Sequence, residues 1–311
     1  MKVYRSKAFN TSNFSIWKND IFSIGTGLVY TAKVIVTGFE LKEDTVHFGP
    51  LTIRKYDQKN DGKLGEWSGR CCVVELKYQD EPEFGINMCC EPFWIIHSIF
   101  LALQVYVDSW IGMMNIYYFD SKGKYISCFE CGMTVADSRS ITEEPIIDKI
   151  DNNLLIKYMN AQYGKLELAI DRYCRACTGI VDDSIIYFVI VLENLLGKGL
   201  ENGELKRKIS LRGALLLSSN IDKRESYNIV FKYLYWLRSK MAHGNIDEIK
   251  IPDPMQKKAF MNLGVKPLGT LNDRYTISNI ARKLARDVLL YFINHEDQWN
   301  RTFLEDLELG V

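Results

Sequence analysis

The sequence predicts an α+β chain. A strand-rich first part with at least one helix, residues 1–145, is followed by an all-α helical bundle over residues 146–311. Three observations predict this. Apolar positions recur every second residue up to about Arg139, and every 3.6 residues from about Ile146 onward. A length of 311 residues, 47% hydrophobic and 25% charged, suits two packed cores and excludes a disordered chain, a collagenous repeat or a coiled-coil rod. No internal repeat or low-complexity stretch breaks either part.

In the first part, Leu28–Thr37 and Thr45–Tyr56 read as strands. Arg70–Tyr78 is a third, with Cys72, Val74, Leu76 and Tyr78 on one face and Glu75 and Lys77 on the other. Asp120-Ser-Lys-Gly123 reads as a turn joining Met114–Phe119 to Lys124–Cys131. One helix interrupts them. Pro92 suits its first turn, and Ile96, Ile99, Phe100, Leu103 and Val107 form its apolar stripe.

In the second part, Asp148–Cys177 reads as one long helix, or two broken at Gly164. Asp183-Ser184 caps Ile185–Leu196, which is apolar nearly all round, stops at Gly197 and belongs in the middle of a bundle. Glu204–Leu217 and Glu225–Ala242 follow as amphipathic helices. The connection Asn245–Tyr275 holds Pro252, Pro254 and Pro267, a length that suggests a functional loop or small insertion. Ile277–Ile293 closes the bundle.

Charge narrows the chemistry. Thirty-nine basic and 39 acidic residues cancel, which excludes indiscriminate coating of nucleic acid but leaves room for a local basic cleft. The first 145 residues carry 15 basic against 18 acidic residues and the remainder 24 against 21, so the helical part is the better match for an anionic partner. The N-terminal residues lack the apolar core of a secretion signal, and no apolar stretch is long enough to span a bilayer. A soluble, cytoplasmic protein without membrane contact is therefore expected.

The eight cysteines fall in the pairs Cys71–Cys72, Cys89–Cys90, Cys128/Cys131 and Cys174/Cys177. Reduced thiols are expected. The gap between the two C-x-x-C pairs exceeds that of zinc modules, so the cysteines read as small buried hydrophobes and no metal or other cofactor is expected. Imidazole chemistry must run through His47, His97, His243 or His295. His47 lies in a strand pattern and His97 in a helix stripe, where packing accounts for both.

Three ionisable residues stand on inward faces of three helices: Glu193, Arg212 and Arg238. A buried charge is costly unless paired, so they predict either a shared polar cluster at a site or an ion pair that orients the helices. The run Leu237-Arg238-Ser239-Lys240-Met241-Ala242-His243-Gly244 favours the site. Gly244 is a helix-terminating glycine, which places His243 in a last turn whose unpaired carbonyls favour imidazolium. Arg238, a turn and a half earlier, is a permanent cation with a planar donor fork. Such a pair suits stabilisation of a phosphorane with proton transfer, the chemistry of ribonucleases that use the RNA's own 2′-hydroxyl as nucleophile.

Arg238-x4-His243 followed by Gly244, at a helix end, resembles the R-x4–6-H signature of HEPN domains. Val191-Leu-Glu-Asn-Leu-Leu196, Ile209-Ser-Leu-Arg-Gly-Ala-Leu-Leu-Leu217 and Tyr235-Trp-Leu-Arg-Ser-Lys-Met-Ala-His-Gly244 are, in that order, similar to the Apea-like HEPN group of bacterial defence proteins. The resemblance covers about residues 150–295. More loosely, Trp17, the strand Phe48-Gly-Pro-Leu-Thr-Ile-Arg54 and Leu101-Ala-Leu103 resemble the strand-rich domain that precedes such modules.

The resemblance implies a metal-independent endoribonuclease acting as a homodimer, a toxic effector of anti-phage defence with a phage-derived trigger and a regulatory first domain. It makes Arg238 the group that stabilises the transition-state phosphate and His243 the acid or base, with Glu193, Arg212 and Ser239 in support. Ser239 departs from the Asn, Asp or His that often follows the motif arginine in active members. The alternative is a non-catalytic HEPN scaffold that binds RNA or a protein.

Overall fold

The computed structural model describes residues 22–23, 28–43, 45–48, 50–65, 70–79, 90–129, 146–148, 150–162, 164–199, 204–244, 253–264 and 274–310. The chain is α+β, and it divides into two units, Met1–Asn160 and Ala161–Val311. Trp17, Cys89 and Cys131, and most of the connection 245–275, lie outside the described residues.

The first unit is built on a sheet. Its strands are β1 (Phe22–Ser23), β2 (Val29–Thr37), β3 (Glu40–Leu41), β4 (Thr45–Phe48), β5 (Leu51–Lys55), β6 (Cys71–Gln79), β7 (Gly112–Asp120), β8 (Tyr125–Phe129) and β9 (Ile146–Ile147). Six of them run antiparallel in the order β4-β5-β6-β2-β7-β8. β1 pairs in parallel with the end of β6, and β3 pairs separately with β9. Branched residues come into register across the sheet, with Val34 opposite both Val74 and Ile116, and Ile53 opposite Val74. Helix α2 (Cys90–Tyr106) packs on β2 and β6 and buries Ile96, Ile99, Phe100 and Leu103 as expected from their spacing.

The other face of the sheet holds a small cluster of Ile35, Leu64, Cys71, Val73 and Phe119. Beside it, α1 (Gln58–Asp61) is tied down by Arg54, whose two terminal nitrogens each donate to Asp61 at 2.6 Å while Nε donates to Glu75 at 2.9 Å. Burial pushes the Asp61 carboxyl up, but the hydrogen bonds from Arg54 and the Asp57 amide outweigh it and hold the group below its ordinary value.

Two expectations for this unit are corrected. Thr45–Tyr56 is not one strand but the hairpin β4–β5, because Phe48 opposes Leu51 across a two-residue turn containing Pro50. The first unit also extends beyond residue 145 to Asn160 and takes in β9 and most of α3 (Asn152–Ala161). The physical reason is that α3 bonds back onto it. Asn152 Nδ2 donates to the His47 carbonyl at 3.1 Å, the Asp151 amide donates to the Tyr106 hydroxyl, and the rings of Tyr106 and Tyr158 lie 6.1 Å apart.

The second unit is all helical: α4 (Glu167–Thr178), α5 (Val181–Leu196), α6 (Leu205–Leu217), α7 (Ile221–Ala242), α8 (Pro254–Asn262), α9 (Arg274–Asn294) and α10 (Arg301–Leu309). Helix α5 touches α4, α6, α7 and α9, which is why it is apolar nearly all round. Its start differs from expectation. Ser184 is fully buried inside the helix, donating to the carbonyls of Ala176 and Ile180, and the helix begins at Val181. The prolines of the 245–275 connection concealed α8, in which Pro254 occupies the first turn behind an Asp253–Gln256 capping box.

Among the described residues, no helix is long and apolar enough to cross a membrane.

Candidate functional site

Each of the three inward charges has a definite place, and the structure brings two of them together. Arg238 on α7 donates through Nη2 to Glu193 Oε2 on α5 at 3.3 Å. The pair sits where the last turn of α5 passes α7, with the arginine side chain 30% and the glutamate 16% exposed. Burial pushes the Glu193 carboxyl above its ordinary value, against the opposing charge of Arg238. The hydrogen bonding is incomplete: Glu193 Oε1 and Arg238 Nε are buried atoms without a partner among the described residues. Tyr235, one turn before Arg238, lies close enough to Glu193 that burial first and that carboxylate second raise its phenol. Sequence reading missed Tyr235 because an aromatic at that position looks like ordinary packing.

His243 lies beyond the last turn of α7. Its amide donates to the Ser239 carbonyl at 3.2 Å, and Gly244 follows at φ +72°, a left-handed conformation that a side chain disfavours. That glycine turns the chain away and leaves the imidazole exposed. Among the described residues none hydrogen-bonds the His243 ring. The other histidines are engaged: His47 Nδ1 lies 3.3 Å from Thr52 Oγ1, His97 has a partner, and His295 stacks on Tyr291 at 4.6 Å. Ser239 is half-buried on α7 between Arg238 and the helix end. The helical rise places His243 about 7.5 Å along the axis from Arg238.

Arg212 departs from the expected cluster. It is fully buried, and its hydrogen bonds go elsewhere: Nη1 donates to the carbonyls of Leu196 and Lys198 at 2.6 and 3.1 Å, and Nε to Glu308 Oε1 on α10 at 2.5 Å. The cause is the end of α5. Termination at Gly197 leaves its last carbonyls without helical donors, and Arg212 supplies one set. Trp299 supplies the other, through Nε1 to the Leu195 carbonyl at 3.1 Å. Glu308 and Trp299 carry no sequence signal of this role, since their partners lie about a hundred positions away.

Four of the described cysteines, Cys71, Cys72, Cys174 and Cys177, are buried thiols, and Cys128 is half-buried. Burial pushes Cys72 up to about 12 and Cys174 well above the usual thiol range, which disfavours the thiolate that metal binding requires. Among the described residues, no group of three or more His, Cys, Asp or Glu side chains could hold a metal ion.

What the arrangement offers chemically is a guanidinium nearly a third exposed and an exposed imidazole further along the same helix. A searched comparison with protein-family models, curated proteins and solved structures finds no match to this chain.

Proposed function

We propose that the protein is a metal-independent endoribonuclease of the HEPN type, acting in the cytoplasm as a homodimer and as a toxic effector of anti-phage defence. The observation that carries the reading is the end of α7. There Arg238 is steadied by Glu193 and stays nearly a third exposed, while His243 stands exposed behind a glycine-terminated helix.

In this reading the RNA's 2′-hydroxyl attacks the adjacent phosphorus. Its proton leaves as the new O–P bond forms, the bond to the 5′-oxygen breaks, and a proton is delivered to that oxygen. The products are a 2′,3′-cyclic phosphate and a 5′-hydroxyl. Arg238 lies against the phosphate oxygens as negative charge grows on them, and His243 moves one of the two protons. Glu193 and Ser239 position the guanidinium and the end of the helix. Arg212 contributes only by fixing the end of α5.

The test is incubation of purified protein with total RNA in excess EDTA. Wild type is expected to leave 2′,3′-cyclic phosphate ends, and Arg238→Ala and His243→Ala to leave RNA intact while retaining fold, dimer and yield. Expression of wild type should slow growth and that of either variant should not. Variants as toxic as the parent overturn the reading.

One observation favours a second reading, a non-catalytic scaffold that binds RNA or a protein. Glu193 partly compensates the charge of Arg238, and Ser239 brings none of its own. Protein that shifts RNA at every concentration without cutting it would establish that alternative.

A further inference from the structure

We infer that the exposed cations at the start of α6, Lys206 and Arg207, form a phosphate-binding track that leads single-stranded nucleic acid to Arg238 and His243. This rests on the nuclease reading for its direction, though the surface itself is argued from packing and charge.

The ends of three helices meet at this place. α6 and α7 are joined by Ser218–Asn220 and lie against each other with Gly213 on the ring of Phe231, so a side chain at residue 213 would collide with that ring. From that level, seven positions back along α6 reach Lys206, and seven forward along α7 reach Arg238. Gly197, at the end of α5, lies against Leu205. The start of α6 is thus level with the Glu193–Arg238 pair.

The cations of α6 divide into two sets. Lys208 and Arg212 share one stripe, and both are neutralised: Lys208 lies 2.9 Å from Glu204 and 3.9 Å from Glu308, and Arg212 lies 2.5 Å from Glu308. Lys206 and Arg207 point elsewhere and are exposed, and among the described residues neither forms an ion pair. Other exposed cations of this unit, such as Lys223 and Lys258, likewise form no ion pair among the described residues, so it is the position level with Arg238 that sets these two apart. An unpaired adjacent pair, on the approach to a half-exposed guanidinium, fits a polyanion that arrives from solution.

The charge does not discriminate bases, so the predicted ligand is the phosphodiester backbone itself. Two contacts at single-strand strength make up the track.

The probe is a single-stranded 2′-O-methyl oligonucleotide, which lacks the attacking hydroxyl and stays uncut, titrated with wild-type protein over a range of salt. Lys206→Glu/Arg207→Glu is expected to weaken binding at least tenfold. It should also flatten the slope of log affinity against log salt by about 1.4, the share of two phosphates. Lys223→Glu/Lys258→Glu, with equal charge change on exposed positions of α7 and α8, should leave affinity and slope unchanged. Circular dichroism checks that both variants fold.

Equal affinity and slope in wild type and Lys206→Glu/Arg207→Glu overturn the track, as does a wild type that binds no oligonucleotide. In a parallel assay with natural RNA, cutting by wild type alongside an unaffected double variant removes the track and leaves the nuclease standing. Salt-dependent binding lost in that variant, without any cutting, keeps the track and removes the nuclease.

Discussion

Arg212 and Arg238 occupy inward faces of neighbouring helices, each facing one glutamate, yet the two pairs are built differently. Arg212 is wholly buried and directs Nη1 and Nε to two helix-end carbonyls and Glu308, leaving Nη2 without a partner among the described residues. Arg238 is nearly a third exposed, makes one long bond to Glu193, and leaves Nε without a partner. A guanidinium whose bonds are directed at orphaned carbonyls holds a structure together. One held by a single long bond and nearly a third exposed is placed to receive something. Unfilled donors do not separate the two, since Arg212 Nη2 is as unpartnered as Arg238 Nε; exposure and the number of bonds made do.

The comparison predicts opposite consequences for the same deletion. Arg212→Ala strands Glu308 and two carbonyls in the interior, and should lower the stability of the helical unit by about 3–5 kcal/mol in a denaturant titration. Arg238→Ala strands only Glu193, whose raised carboxyl takes a proton more readily, so it should cost less stability than Arg212→Ala, and His243→Ala should leave the denaturation midpoint nearly in place. Their cost should fall on cleavage instead, at least about a hundredfold or about 2.7 kcal/mol for the acid–base group. A stable Arg212→Ala protein would break the distinction, and so would an unfolded Arg238→Ala protein.

A smaller effect probes the same helix end from the other side. Trp299 donates to the Leu195 carbonyl, and its ring carries the Lys198 ammonium 4.2 Å from the centroid. Trp299→Phe keeps an aromatic there and removes the donor, so a loss of about 1–2 kcal/mol is expected. No change in the melting temperature would mean that the end of α5 does not need side-chain donors, and that Arg212 is there for another reason.

How much of this was legible in the sequence follows from the range of each interaction. Glu193, Arg212 and Arg238 were visible because each breaks an apolar stripe on its own helix, and a stripe is a local pattern. His243 was visible because Gly244 marks the helix end one residue later. The partner of Arg212 was not, because Glu308 lies 96 positions away on α10, a helix that the reading did not include. Periodicity says that a charge faces inward and is silent on which opposite charge it meets.

The same limit explains the other misreadings. The β4–β5 hairpin was merged into one strand because its turn is only two residues long, although the buried positions change phase across it, from Val46 to Leu51 and Ile53. Helix α8 was lost because proline was read as a breaker, whereas Pro254 behind Asp253 begins a helix. α3 was assigned by its period to the helical part, though its hydrogen bonds belong to the sheet unit.

The smallest effect sharpens the comparison most, since it concerns sign. Glu193 has a carboxyl raised by burial in spite of Arg238, so the native state holds its proton more readily than the unfolded chain does. The stabilisation tied to that proton is fully present below the unfolded carboxylate value, about 4.3, and is lost as pH rises through the native value. Glu193→Gln resembles the protonated form at every pH. It should therefore be more stable than wild type at pH 7, by less than about 1 kcal/mol given the partial exposure of the pair, and the difference should vanish as pH falls toward 4. Glu308→Gln should do the reverse at pH 7, because the fully buried Arg212 would lose its counter-charge. Urea midpoints for both variants at several pH values decide the matter. If Glu193→Gln also destabilises at pH 7, the Arg238 pair is a second structural pin, and the opening at the end of α7 loses its best argument for chemistry.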